Sequence, residues 1–129
     1  MYQKIIIIGN LGRDPEMRYT PDGKPVTSFS VATSRKYRDT NETTWFRVSV
    51  WGNQAESCNQ YLQKGSKVLV EGRLSPDLST GGPKVYQKKD GSFGAGYEIN
   101  ADTVRFLSTR AGAEAGEEDS ASDDDNIPF

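Results

Sequence analysis

Trp45-Phe46-Arg47-Val48-Ser49-Val50-Trp51 is the stretch whose reading decides the fold of this chain. Successive residues of a strand point to opposite faces. Trp45, Arg47, Ser49 and Trp51 then share one face, and Phe46, Val48 and Val50 the other. The second set is an ordinary apolar core face. The first arranges two indole rings around a guanidinium, and two readings fit it. One is a central strand buried on both sides, with Arg47 paired to a carboxylate. The other is an open face on which bases stack on the rings while phosphates meet the cation.

Charge divides the chain into two regimes. The 129 residues carry 16 Lys and Arg against 18 Asp and Glu, a net charge of −2. All 16 bases and 11 of the acids lie in residues 1–110, which leaves that part at +5. Residues 111–129 hold the other seven acids and no base. Such asymmetry suggests a basic binding domain followed by an acidic tail. The length fits one domain with a single core.

Residue types that are scarce exclude several kinds of chemistry. Histidine is absent and Cys58 is the one cysteine. His-based triads, His-ligated metal sites and an intrachain disulfide are therefore ruled out within the chain, and a reducing compartment is suited. Cys58 reads as buried filler. No metal or other cofactor is expected. The longest apolar run, residues 5–8, is too short to span a membrane, and the first residues lack a signal-peptide layout. A cytoplasmic, nucleoid-associated protein without membrane contact is the expectation.

Working outward from the central stretch, a helix should follow it. Asn53 and Glu56 have capping-box spacing, Ala55, Cys58 and Leu62 fall on one side, and Lys64-Gly65 closes the element. Before it, residues 26–34 read as a strand, with Thr27, Phe29, Val31 and Thr33 on one face and Ser28, Ser30 and Ala32 on the other. A basic loop, Arg35-Lys36-Tyr37-Arg38-Asp39, joins the two; a solvated hairpin tip would look the same. Residues 2–10 are β-branched and read as a strand buried on both faces, with Gly9 and Gly12 where a bulge or bend would sit. Thr20-Pro21-Asp22-Gly23 signals a hairpin turn. Residues 67–74 and 97–107 are two further strands. Between them, residues 75–96 read as an extended, mobile hairpin with Tyr86 and Phe93 set among Lys84, Lys88 and Lys89.

Five strands with one helix between the third and fourth give an all-β architecture, the order of the OB-fold, a five-stranded Greek-key barrel. The aromatic–basic clusters fall on the loop between strands 2 and 3, on strand 3, and on the loop between strands 4 and 5. Those segments can line one groove. The folded domain is expected over residues 1–108. Residues 109–129 hold small and acidic residues with nothing to bury, so a disordered acidic tail is expected. It finishes with Asp123, Asp124, Asp125, Asn126, Ile127, Pro128 and Phe129. An apolar tip with a carboxylate, behind three aspartates, looks like a ligand for a pocket with basic rims.

Several motifs carry a family resemblance. They are Ile8-Gly-Asn-Leu-Gly-Arg-Asp-Pro-Glu-Met-Arg-Tyr19, Ser30-Val-Ala-Thr33, Trp45-Phe-Arg-Val48, Tyr61-Leu-Gln-Lys-Gly65 and Val70-Glu-Gly-Arg-Leu74, joined by the ending Asp123-Asp-Asp-Asn-Ile-Pro-Phe129. From Lys4 to about Leu107, and again over its last seven residues, the chain resembles the bacterial single-stranded DNA-binding proteins of the replication SSB family. The resemblance implies base stacking on Tyr37, Trp45, Trp51 and Tyr86. Tyr37 and Tyr86 stand where relatives have tryptophan and Trp51 where they have phenylalanine, so each keeps a π-face. It implies phosphate contacts from Lys4, Arg18, Arg47 and Lys64; the clusters add Arg35, Lys36, Arg38, Lys84 and Lys88. Asn53 replaces a lysine of some members. The loop between strands 4 and 5 is longer than in many relatives, and the tail linker is shorter.

The function so implied is sequence-independent binding and protection of single-stranded DNA by a homotetramer, without catalysis. The tip would recruit replication, recombination and repair proteins. Alternatives are an adaptor using the barrel as a platform, an OB-fold primosome-type or RNA-binding adaptor protein, and a small carboxylate nuclease using Mg²⁺. The last lacks paired carboxylates in any recognisable motif.

Overall fold

The computed structural model describes residues 1–108. The tail and its tip, residues 109–129, lie outside the described residues. In chain order the elements are β1 (Ile5–Leu11), β2 (Glu16–Tyr19), β3 (Pro25–Tyr37), β4 (Thr40–Trp51), α1 (Asn53–Tyr61), β5 (Lys67–Leu74), β6 (Lys84–Gln87) and β7 (Phe93–Phe106). The sheet runs β1-β5-β7-β4-β3, and β1 also pairs with β3, so five strands close into a barrel. β4 and β7 run parallel; the other pairings are antiparallel. With α1 between the third and fourth barrel strands, this is the OB-fold expected from the sequence order.

Alternation along β4 is as read: Val48 and Val50 are buried, while Trp45 and Trp51 are each about half exposed, at 53 % and 50 %. The core behind them gathers Phe29 and Val31 of β3, Val68 and Val70 of β5, and Ile99 of β7. Cys58 and Leu62 close it from the helix side. Burial pushes the Cys58 thiol up to about 12, so no thiolate is present near neutral pH and the residue is filler. Thr27, on the core face of β3, donates its hydroxyl to the Ala55 carbonyl at 2.6 Å and ties α1 to the barrel.

Several local expectations are corrected. β1 is not buried on both faces, because none of the described residues packs over its outer side: Ile6 and Ile8 are 57 % and 48 % exposed. Asn53 is not the N-cap. Gly52 occupies that position with φ 74°, and no side chain caps the helix. The chain leaves β4 through a sharp turn that only glycine takes easily, held by the Gly52 amide on the Pro25 carbonyl at 3.1 Å. Lys64-Gly65 does not end the helix, which stops at Tyr61; Gly65 (φ 91°) serves a separate turn and donates to the Leu11 carbonyl. The basic loop is mostly strand. β3 and β4 pair out to Tyr37 and Thr40 around a turn of two residues, where Arg38 takes φ 57°, the sign such turns require at their first central position. The segment 75–96 does contain the expected hairpin, β6 on β7, but the last strand begins at Phe93 rather than Tyr97.

A bulge in β7 completes the seat for the helix. Glu71 partners Thr103 and Gly72 partners Ala101, so Asp102 is the extra residue. Gln54 of α1 fills the gap with both ends of its amide, donating to the Asp102 carbonyl and accepting from the Val104 amide at 2.9 Å each. Close packing at Gly9 is equally demanding. A Cβ there collides with the Ala32 carbonyl oxygen and lies 2.8 Å from Val31 Cγ1, where β1 meets β3. Gly9→Ala is therefore expected to lower stability by about 1–3 kcal/mol or more, read as a fall in the thermal midpoint followed by circular dichroism.

Candidate nucleic-acid interface

Rows of cross-strand partners build the open face, because residues paired across a ladder share a side of the sheet. Trp45 lies beside Ala32, which in turn faces Asn10 of β1. Arg47 lies between Ser30 and Glu98. Ser49 lies between Ser28 and Asn100, and Trp51 beside Val26, whose other partner is Arg18. Ala32 beside Trp45 and Ser30 beside Arg47 are small, so the β3 side covers little of either. Trp45 and Trp51 stand six strand residues apart, roughly 20 Å, and so offer two separate platforms.

A groove of about 640 Å³ runs beside the first of these, lined by Trp45, Arg47, Tyr86, Tyr97 and Glu98 with Ser30 and Thr44. It joins residues from β4 and from the β6–β7 ribbon. Tyr86 pairs with Gly94 on the ribbon, and Lys84 is held at its base by Glu98 at 3.5 Å. A smaller recess of about 360 Å³ adjoins Trp45, lined also by Gly12, Arg13 and Ser30. Lys88 reaches the same side as Tyr86, since a Cβ on Gly94 would meet both side chains.

Tyr37 is placed differently. Ala32 partners Trp45, and Tyr37 lies five residues further along β3, an odd number that puts it on the opposite side of the ribbon. Its ring is flanked by two guanidiniums, Arg35 at 5.8 Å and Arg38 at 5.3 Å from the centroid, both within cation–π range. Arg35 also reaches Glu42, its cross-strand partner, at 3.7 Å. Lys36 pairs with Asn41 and returns to the side of Trp45. Lys4 lines a different recess of about 690 Å³ with Arg73 and Asn100, and stands 3.5 Å from Glu71. Lys64 is exposed, its amide donating to Asp14 in the β1–β2 connection that also carries Arg13. The structure thus brings together Trp45, Arg47, Tyr86, Lys84 and Lys88; it leaves Tyr37, Lys4 and Trp51 on separate stations.

Arg13, Tyr97 and Glu98 line the interface without having been singled out in the sequence. Tyr97 tilts against Phe46, ring centroids 5.8 Å apart, at the rim of the barrel. Its alternation with buried Ile99 was available as a signal; Arg13 offered none beyond its charge. Among the described residues, no three acidic or thiol side chains are grouped to hold a metal ion. No helix among them is long and apolar enough to cross a membrane.

A closed five-stranded barrel with one helix and an aromatic, basic groove over its third strand is an OB-fold protein of the groove-bearing class. The model of the single-strand binding protein family matches residues 2–107, and the chain belongs to that family. It is 41 % identical over 112 residues to the single-stranded DNA-binding protein of Neisseria meningitidis serogroup A, covering 83 % of this chain and 60 % of that one. The protein of the same name from Wolinella succinogenes is 33 % identical over 123 residues, 92 % of this chain and 72 % of its own. That of Helicobacter hepaticus is 36 % identical over 115 residues, 85 % and 64 % respectively. The chain spans about 60 % of the length of the Neisseria relative.

If the indole of Trp45 is a base platform, its removal costs one stacking contribution, roughly 1–3 kcal/mol. Trp45→Ala is expected to weaken oligo-dT binding by about tenfold or more, while the thermal midpoint stays close to the parent's because the ring packs outside the core. Unchanged affinity, measured by anisotropy of a labelled oligonucleotide, would remove β4 from the interface.

Proposed function

We propose that this chain binds single-stranded DNA without regard to sequence and shelters it during replication, recombination and repair, catalysing no reaction. The observation that carries the reading is the pair of half-exposed indoles flanking Arg47 on β4, with Tyr86 closing the groove beside Trp45. Aromatic rings left open beside cations serve the two chemistries of a single strand at once, its unstacked bases and its phosphates. Family membership and the names of the relatives support the same ligand. The adaptor reading requires these rings to be covered, and they are open.

The cations proposed to meet phosphate are Lys4, Arg18, Arg35, Lys36, Arg38, Arg47, Lys64, Lys84 and Lys88. The rings proposed to stack are Tyr37, Trp45, Trp51 and Tyr86. The working form is a homotetramer, for which the exposed Ile6 and Ile8 of β1 provide an apolar strip. The folded domain is assigned to residues 1–108, and residues 109–129 to an acidic tail. Its tip, residues 123–129, recruits the replication, recombination and repair proteins, and the site of action is the cytoplasmic nucleoid.

Titration of intrinsic fluorescence with oligo-dT, oligo-rU and duplex DNA at two salt concentrations tests the binding mode. Oligo-dT should quench the indoles, and affinity should fall with salt at a log–log slope of about −0.7 per phosphate neutralised. Duplex should bind far more weakly, because its bases are already stacked on one another. Equal affinity for duplex would leave only a charge-driven mechanism. For the tip, a chain lacking Ile127, Pro128 and Phe129 should bind oligo-dT at least as well as the full chain yet fail to capture replication proteins. Retained capture would show that the tip is not the ligand.

A further inference from the structure

Four glycines among the described residues sit where a Cβ would come within 3 Å of another atom, and they are of two kinds. At Gly9 and Gly72 the obstacle is main chain: the carbonyl oxygens of Ala32 and Asn100. These two are requirements of the barrel. At Gly12 and Gly94 the nearest obstacle is an aromatic ring. A Cβ on Gly12 would stand 2.6 Å from Cζ3 and 2.7 Å from Cη2 of Trp45. One on Gly94 would stand 2.9 Å from Cζ and 3.0 Å from Oη of Tyr86. Neither glycine has a positive φ, so the backbone conformation itself would admit alanine. At both places the nearest obstacle to a side chain is the ring, joined at Gly94 by the mobile Lys88 chain, whose Cε stands 3.1 Å away.

We infer that Gly12 and Gly94 are positioning residues for the two rings of the groove, each leaving room for one end of its ring against bare main chain. The inference rests on the stacking function proposed for Trp45 and Tyr86. The Gly12 amide donates to the Ser30 carbonyl at 3.1 Å, so the main chain there is pinned to β3. Gly94 is pinned by its place opposite Tyr86 in the β6–β7 ladder. With the backbone held and the obstacle at the far end of a rotatable side chain, an added methyl moves the ring and spares the fold. Both platforms of the groove thus take their height and tilt from an absent side chain. A stacking surface contributes only when a base can lie face to face with it, so a tilted ring loses affinity without being removed.

Packing a ring over a cross-strand glycine can also be purely structural, since it shields a strand that lacks a side chain. Coupling in DNA affinity separates the two roles. Gly12→Ala and Gly94→Ala are made in the full chain, alone and combined with Trp45→Ala and Tyr86→Ala respectively. Circular dichroism and the thermal midpoint check folding, and oligo-dT binding is read by anisotropy. Each glycine variant alone should weaken binding by about threefold to tenfold, a part of one stacking contribution. In the background lacking its ring, the same substitution should have no further effect. Gly12→Ala in a Trp51→Phe background, where Trp45 is the remaining tryptophan, should also shift the emission maximum. A glycine variant that binds like the parent overturns the inference, as does a loss that persists at full size without the ring. Should Gly12→Ala fail to fold, Gly94→Ala on the ribbon outside the barrel carries the test. If Trp45→Ala and Tyr86→Ala themselves bind like the parent, the stacking function falls and the inference with it.

Discussion

The register of β4 is the constraint on which the rest of the molecule depends. This strand is bonded on both edges, to β3 antiparallel and to β7 parallel, and side chains alternate along it with period two. A slip of one residue would turn Trp45, Arg47 and Trp51 into the barrel and Val48 and Val50 out of it. Val48 and Val50 are fully enclosed among Phe29, Val31 and Ile99, so the slip is opposed by the whole core. The open aromatic face is in that sense the reverse side of core packing. Folding the barrel and setting out Trp45, Arg47 and Trp51 on one side are a single event.

That coupling weakens with distance from the barrel. Beyond Thr33 on β3 and before Thr44 on β4 the hairpin is exposed on both faces, Tyr37 included. An isolated two-stranded ribbon is marginal in water. Tyr37 has Arg35 and Arg38 against its ring in place of a core under it. Tyr86 is intermediate: its ribbon leaves the barrel, but Glu98 holds Lys84 at its base and Gly94 lies beneath the ring. The interface therefore grades from platforms fixed by the fold to one fixed by local contacts. A base arriving at Tyr37 must share the ring with a guanidinium, whereas Trp45 offers its ring without one.

Much of this was legible in the sequence, and the reasons differ by residue. The two faces of residues 45–51 followed from alternation alone, as did the placement of Ala55, Cys58 and Leu62 on the buried side of the helix. The order of strands and helix was enough for the barrel. What was not legible depends on which layers meet. Ile6 and Ile8 look like core residues beside Ile5 and Ile7, and only the fold shows that no layer of the described residues covers them. Asn53 has the right neighbours for a cap, but the chain turns one residue earlier at Gly52, where strand geometry rather than helix chemistry sets the corner. The face of Tyr37 was lost because the segment reads as a loop, and alternation cannot be counted through a loop. The positioning role inferred for Gly12 and Gly94 is not legible in sequence, where Gly12 reads only as a bend, because the rings concerned are distant along the chain in one case and across a hairpin in the other.

Carboxylates in the interface bear on how a strand would lie in it. Lys4, Arg35 and Lys84 each stand within 4 Å of a glutamate, respectively Glu71, Glu42 and Glu98. Pairs this accessible contribute roughly 0–1 kcal/mol, so a phosphate backbone of high charge density can replace the glutamate as partner. Glu42 lies on the outer ribbon and Glu71 beside the recess of Lys4, where a displaced carboxylate can turn to water. Glu98 is different, because it lines the groove itself, across the ladder from Arg47 and alongside Trp45 and Tyr86. A phosphate brought over Glu98 meets a like charge at close range, while a base carrying an exocyclic amine meets an acceptor. For a strand bound as proposed, the favourable arrangement lays bases over Trp45 and Tyr86 and carries phosphates past Arg47 and Lys88 at the edges. A carboxylate inside the groove thus favours bases inward and backbone outward, an orientation that the rings by themselves do not set.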